Sequence, residues 1–188
     1  GGSIILDDVE LRDYPRVYLR SQIGIVEQEP FLFSQSIKEN IKYSSQSATD
    51  NQVEESARLV GAHEFITKLD HGYETQLHER GSNLSVGQRQ LISFARALVA
   101  NPRLLILDEA TANIDTQTER LIQLALSELL KNRTALVIAH RLSTIRSADR
   151  IVVLDRGRIV ETGNHDELIA VGGLYARLSA LSSTDSIH

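Results

Sequence analysis

Between Arg103 and His140 the chain reads "RLLILDEA", then "TQTERLIQLALSELLKN" a few residues on, then "TALVIAH". A short apolar run, a helical pattern and a second short apolar run constrain the fold more than any other feature. Strand, helix, strand in that order packs most readily as parallel strands with helices on the faces of the sheet. Both apolar runs end on polar chemistry. The first passes from Leu104–Leu107 straight into Asp108 and Glu109, and the second ends at His140. A third run, Ile23–Val26 in "IGIVEQEP", has Gln28 just beyond its end. In parallel sheets, ligands bind outside the carboxyl ends of the strands. The expectation is therefore that Gln28, Asp108, Glu109 and His140 gather along one edge of one sheet.

The flanking segments supply the remaining elements. "GGSIILDD" reads as a strand, Ile4–Leu6, followed by an acidic turn, and "PRVYLRSQ" as one or two helical turns begun by Pro15. Thr49 and Gln52 form a capping-box pattern, with Gly61 as a C-terminal stop. "SVGQRQLISFARALVANP" sets Leu91, Ile92, Ala95, Leu98 and Val99 on one helical face and places Pro102 past the end. Thr116 and Glu119 suggest another capping box. "RIVVLDRGRIVETG" reads as a hairpin across Asp155–Gly157, and a closing helical region breaks near Gly172 and Gly173. Residues 31–100 are almost entirely helical and read as an inserted subdomain. Residues 1–30 and 101–188 then form the strand-bearing core.

Bulk properties narrow the function classes. A chain of 188 residues, 41% hydrophobic and 24% charged, can bury an ordinary globular core. It has no cysteine, so disulfides and thiolate metal sites are excluded. A net charge of −5 argues against nucleic acid as the main partner. No apolar run approaches the roughly 18 residues of a membrane span.

The adjacent acids Asp108 and Glu109 repel each other, which is a poor way to end a core strand unless a cation sits there. Mg²⁺ typically takes one or two carboxylates and completes its shell with phosphate oxygens and water. The alternative is a pair of solvated turn acids. Ser85, Val86, Gly87 and Gln88 open a well-patterned helix. Unpaired N–H groups and the helix dipole there suit a phosphate oxygen, and Gly87 lets the backbone come close. The alternative is that Ser85 is only an N-cap. Asp115 can equally be an acid favouring a helix start, and His140 and Gln28 carry little meaning singly.

Taken together, these pieces resemble the nucleotide-binding domain of an ATP-binding-cassette (ABC) transporter of exporter type, nearly end to end. "NLSVGQ" resembles the family signature LSGGQ, with Val86 in place of a glycine. "LLILDE" resembles the Walker B strand, "VEQEP" the Q-loop, "ANID" the D-loop and "IAHRLST" the switch-histidine region. The resemblance implies a partial P-loop NTPase (RecA-like) fold: α/β, with a mostly parallel sheet and an inserted α-helical subdomain. It implies ATP and Mg²⁺ as cofactors, with Asp108 and Gln28 at the metal, Glu109 orienting water and His140 touching the γ-phosphate. Ser85, Val86, Gly87, Gln88 and Asp115 would serve nucleotide in a head-to-tail dimer with a second nucleotide-binding domain. Glu79 and Arg80 of "HERGSNLS" would face transmembrane domains, which places the chain at the cytoplasmic face of a membrane.

One family motif is missing. The phosphate-cradling G-x-x-x-x-G-K-[ST] loop requires a lysine after glycine. The chain's lysines are Lys38, Lys42, Lys68 and Lys131, and none follows a glycine. The expectation is a cassette truncated at its front, inactive alone as an ATPase, with exposed apolar surface. A competing function is a non-catalytic partner that donates its signature motif to a complete domain. A DNA-repair or chromosome ATPase ranks lower, because no sustained heptads separate Gln28 from Ser85.

Overall fold

The structure is a computed structural model describing residues 2–108, 116–139 and 142–184. Its elements run β1 (Ile5–Leu6), β2 (Val9–Glu10), α1 (Arg16–Gln22), β3 (Ile23–Val26), α2 (Ile37–Lys42), α3 (Asp50–Leu59) and α4 (His63–Ile66). They continue as α5 (Val86–Val99), β4 (Leu104–Asp108), α6 (Thr116–Leu130), β5 (Thr134–Ile138) and α7 (Leu142–Arg146). β6 (Ile151–Asp155), β7 (Arg158–Gly163), α8 (His165–Val171) and α9 (Leu174–Thr184) close the chain. Short 3-10 turns fall at Leu11–Asp13, Gly72–Glu74 and Glu79–Gly81. The chain divides into two compact units, residues 1–137 and 138–188.

The strands form three small sheets. The central one has the order β3-β4-β5, and β3 pairs with β4 in parallel, Ile23 opposite Leu104 and Val26 opposite Leu107. Backbone bonds from Arg103 N–H to the Gln22 carbonyl and from Thr134 N–H to the Arg103 carbonyl set the three strand starts side by side. Strand periodicity then divides the side chains between two faces. Val26, Leu105 and Leu107 point inward, against a core built with Ile92 and Ala95 of α5 and Ile122 and Leu129 of α6. Gly24 belongs to that inner face, where an added Cβ would lie 2.8 Å from Leu105 Cδ2 and 2.9 Å from Pro102 Cγ. The opposite face leaves Ile25 and Leu136 more than 60% exposed.

Local signals account for several helix ends. Thr49–Gln52 and Ser85–Gln88 are complete capping boxes, each satisfying two backbone groups reciprocally. α3 stops at Gly61, whose φ is +72° and whose N–H returns to the Arg58 carbonyl. The Thr116 capping contact lies outside what is described. One element differs from expectation: the acidic stretch after β1 is a tight hairpin turn, and Val9–Glu10 returns as β2. Asp7 and Asp8 hold φ of 48° and 63°, a left-handed pair that Asp tolerates better than most residues.

The second unit joins β6 and β7 as the expected antiparallel hairpin, with Asp155 opposite Arg158. Val153, Leu168 and Tyr175 make its small core. Gly172, at φ +69°, ends α8.

Candidate functional site

Two of the expected residues emerge at one edge of the central sheet. β4 ends on Asp108, which is partly buried, and β3 ends on Val26, opposite Leu107. Because the pairing is parallel, Asp108 and the residues that follow Val26 lie at the same edge. Gln28, two residues beyond Val26, is exposed there, in the segment Glu27–Pro30. A carboxylate and an amide oxygen are hard donors of the kind Mg²⁺ prefers. Among the described residues no group of three His, Asp or Glu could enclose a metal ion. Glu109, Asp115 and His140 lie outside the described residues.

The start of α5 is built from its capping box. Ser85 Oγ accepts the Gln88 N–H at 3.2 Å, and Gln88 Oε1 accepts the Ser85 N–H at 3.0 Å. Two donors of the first turn, the N–H groups of Val86 and Gly87, have no partner a helix can itself provide. The Ser85 hydroxyl hydrogen is also uncommitted, since a hydroxyl can accept and donate at once. Val86 is 47% exposed, where the family signature would have glycine. Gly87 is buried, and an added Cβ would collide with Thr118 Cγ2 in the first turn of α6. Glycine at this position therefore has a packing cause that the sequence did not reveal.

Just upstream, Arg80 adopts φ 54° and ψ 21° inside the 3-10 turn Glu79–Gly81. A non-glycine residue in that region is uncommon. Asn83 braces the turn, its Oδ1 accepting the His78 N–H at 3.1 Å while its Nδ2 donates to the Gln76 carbonyl at 3.2 Å. Glu79 and Arg80 are both exposed. Gly81 seats on Leu32, with room for no Cβ: Leu32 Cδ1 would be 2.9 Å away.

Arg96 is the residue that sequence reasoning missed. It sits on α5 among Leu91, Ile92, Ala95, Leu98 and Val99 and reads at first as an interruption of an apolar face. Its guanidinium donates from Nε to the Asn40 carbonyl, from Nη2 to Asn40 Oδ1 and from Nη1 to the Phe31 carbonyl, each at 2.8 Å. It also lies 5.7 Å from the ring centroids of Phe33 and Tyr43. Burial pushes its pKa below the usual arginine value, and the nearby Tyr43 and Glu27 oppose that shift. Asn40 completes the network, donating to the carbonyls of Phe33 and Ser36 at 3.0 Å and accepting the Phe33 N–H at 2.9 Å. The signal in the sequence was the placement itself: a cation inside an apolar stripe needs acceptors.

The family described as "ABC transporter" matches residues 1–112. An uncharacterized ABC transporter ATP-binding protein, YknV of Bacillus subtilis, is 59% identical over 178 residues, covering 95% of this chain and 30% of its own length. An ATP-dependent lipid A-core flippase of Syntrophus aciditrophicus is 51% identical over 180 residues, covering 96% of this chain and 30% of its own. Among solved structures, a bacterial Atm1-family ABC exporter with ATP bound superposes with a TM-score of 0.86 at 40% identity. It covers 96% of this chain and 32% of its own length. The chain thus spans about 30% of the length of the curated relatives it matches.

Proposed function

The chain belongs to the ABC transporter family, and on that premise we propose that it is part of the ATP-hydrolysing motor of an exporter. The observation that carries this reading is the parallel pairing of β3 with β4, which brings Gln28 and Asp108 to one sheet edge. Asp108 holds Mg²⁺, and Gln28 reports its presence toward the membrane domains. Glu109 orients the attacking water, and His140 donates to the γ-phosphate. When bound, Mg²⁺ neutralises charge on the phosphates. What the chain contributes is positioning and fixed donors, which is most of what phosphoryl transfer requires of a protein.

Ser85, Val86, Gly87 and Gln88 offer their first-turn donors, and Asp115 its carboxylate, to nucleotide held by a second nucleotide-binding domain in a head-to-tail dimer. Glu79 and Arg80 face the transmembrane domains, at the cytoplasmic side of the membrane. Residues 31–100 act as the signature-bearing helical subdomain, and 1–30 with 101–188 as the ATPase core. The 188-residue polypeptide by itself contains no lysine after glycine to cradle a triphosphate, so alone it binds ATP weakly and turns it over negligibly.

The test is Mg²⁺-dependent ATP hydrolysis by the full-length protein that carries this chain, with and without Glu109→Gln. Loss of at least a hundredfold in kcat with ATP binding retained supports the motor reading. Unchanged hydrolysis in the Glu109→Gln protein would replace it with the non-catalytic partner.

A further inference from the structure

We infer that Arg96 is a positioning residue for Gln28, fixing the far end of its tether to the helix that carries the signature. This rests on the motor reading above, in which Gln28 serves the metal site. The inference comes from how the segment between β3 and α2 is held. Residues 27–36 form no strand or helix, so their backbone groups need partners from elsewhere. Two side chains supply several of them, and the Leu77 N–H adds one to the Gln35 carbonyl. Arg96 takes the Phe31 carbonyl, and Asn40 takes both polar groups of Phe33 and the Ser36 carbonyl. Arg96 also binds Asn40 twice, so the two act as one clamp.

The clamp begins three residues after Gln28. On the other side, Val26 is fixed in the sheet and 2% exposed. Gln28 therefore lies on a four-residue bridge, Glu27–Pro30, between two rigid anchors. At about 3.3–3.6 Å per extended residue, the five steps from Val26 to Phe31 span at most about 18 Å, so the position of Phe31 limits where the Gln28 amide can reach.

The second anchor belongs to α5. Arg96 lies eleven residues from Ser85 on one helix, a rod of about 16 Å at 1.5 Å per residue. Residues 90–95 and 97–99 of that rod are buried. The Ser44 hydroxyl closes on the Arg96 carbonyl, tying the end of α2 to the same turn. A shift of α5 is thus passed to Phe31 through directed hydrogen bonds. Leu32, wholly buried, would keep the segment attached without Arg96, but a packed side chain does not fix the direction of a carbonyl. Lysine cannot replace the arginine, because the three bonds leave a planar fork in three directions.

The experiment uses the full-length protein and measures kcat and KM for ATP in wild type, Arg96→Lys, Gln28→Ala and the double variant. The expected result for Arg96→Lys is a fall in kcat of roughly ten- to a hundredfold with KM within about twofold. The double variant falls no further than Gln28→Ala, because Arg96 acts through Gln28. Multiplicative losses in the double variant would overturn the inference and leave Arg96 as a stabilising residue only. A Gln28→Ala protein with wild-type hydrolysis would instead remove the role of Gln28 in the motor reading. If Arg96→Lys does not fold, one glycine inserted between Glu29 and Pro30 loosens the bridge without touching the clamp. That insertion should reproduce the kcat loss at an unchanged melting temperature, and wild-type kcat in it overturns the inference.

Discussion

Gly87→Ala separates two explanations for the same residue. If glycine is there only so that backbone can approach a phosphate, alanine has nothing to strike and improves the helix. Propensity favours alanine by up to about 1 kcal/mol, less in a first turn than in a helix interior. The structure predicts the opposite sign. The new Cβ would overlap Thr118 Cγ2, far inside the 3.0 Å that real Cβ atoms keep, with Ile122 Cδ1 behind at 3.8 Å. Thr118 is β-branched and stiff at χ1, so relief requires an off-rotamer side chain or separation of α5 from α6. Overpacking of this kind costs about 1–3 kcal/mol, which outweighs the propensity gain. At about 2–4 °C per kcal/mol for a chain of this size, a net loss of about 1–2 kcal/mol lowers the melting temperature by about 2–8 °C. Thermal and urea unfolding followed by circular dichroism would measure it. Thr118→Ser removes the colliding methyl while keeping the hydroxyl, and in that background Gly87→Ala should become neutral or stabilising. A rise in melting temperature for Gly87→Ala in the wild-type background would refute the packing argument. Hydrolysis assays on the same variants in the full-length protein then show whether any functional loss survives once the clash is relieved.

Two further outcomes follow from single groups. Burial pushes the Tyr73 phenol up to about 12, with Glu54 adding to the shift and Arg58 opposing it. The unfolded chain loses that proton near pH 10, so the native state holds it longer and stability falls as pH rises from about 10 to about 12. Two units amount to at most ~2.7 kcal/mol, discounted to about 1 kcal/mol for a partly exposed ring. Tyr73→Phe should flatten that part of the pH–stability curve relative to wild type; Lys38, whose pKa is raised mainly by Glu74, falls with the same sign in both proteins and cancels. Ser85→Asp keeps an N-cap of equal quality, so stability should stay within about 0.5 kcal/mol of wild type. It also sets a negative charge where a phosphate oxygen would approach. Hydrolysis by the full-length protein should therefore fall by at least tenfold, and wild-type activity in Ser85→Asp would remove Ser85 from the site.

What the sequence disclosed was governed by range. Capping boxes at Thr49–Gln52 and Ser85–Gln88 were legible because all their partners lie within four residues. The strand ends at Asp108 and Val26 were legible because apolar runs stop abruptly at polar residues. β2 was not, since two residues carry no period and Asp-Asp lacks the glycine that usually marks a tight hairpin. Gly87 was legible as important and misleading as to cause, because Thr118 lies thirty-one residues away and no local pattern links them. Arg96 was legible only as a cation inside an apolar stripe; its acceptors, Phe31 and Asn40, are 65 and 56 residues distant. Of the candidate site, Gln28, Asp108 and Ser85–Gln88 can be placed on the fold. Glu109, Asp115 and His140 fall outside the described residues.

The structural and functional readings of α5 do not compete for the same atoms. The capping box uses the Gln88 N–H and the Ser85 lone pair; it leaves the Val86 and Gly87 N–H groups and the Ser85 hydroxyl hydrogen available. Packing uses the missing Cβ of Gly87, which also keeps α5 close to α6, the helix that follows β4 and the segment bearing Glu109. Arg96, near the other end, uses the Phe31 carbonyl in the segment that follows Gln28, together with the backbone and side-chain oxygens of Asn40. One helix thus presents donors at its start, rests on α6 in its first turn and holds the segment after Gln28 in its last. Each contact stabilises the fold by itself, which is why none, taken singly, distinguishes a motor from a scaffold. The proposed motor role adds the requirement that a displacement at the first turn be felt at Gln28, and the Arg96 clamp is the contact that joins α5 to the segment after Gln28.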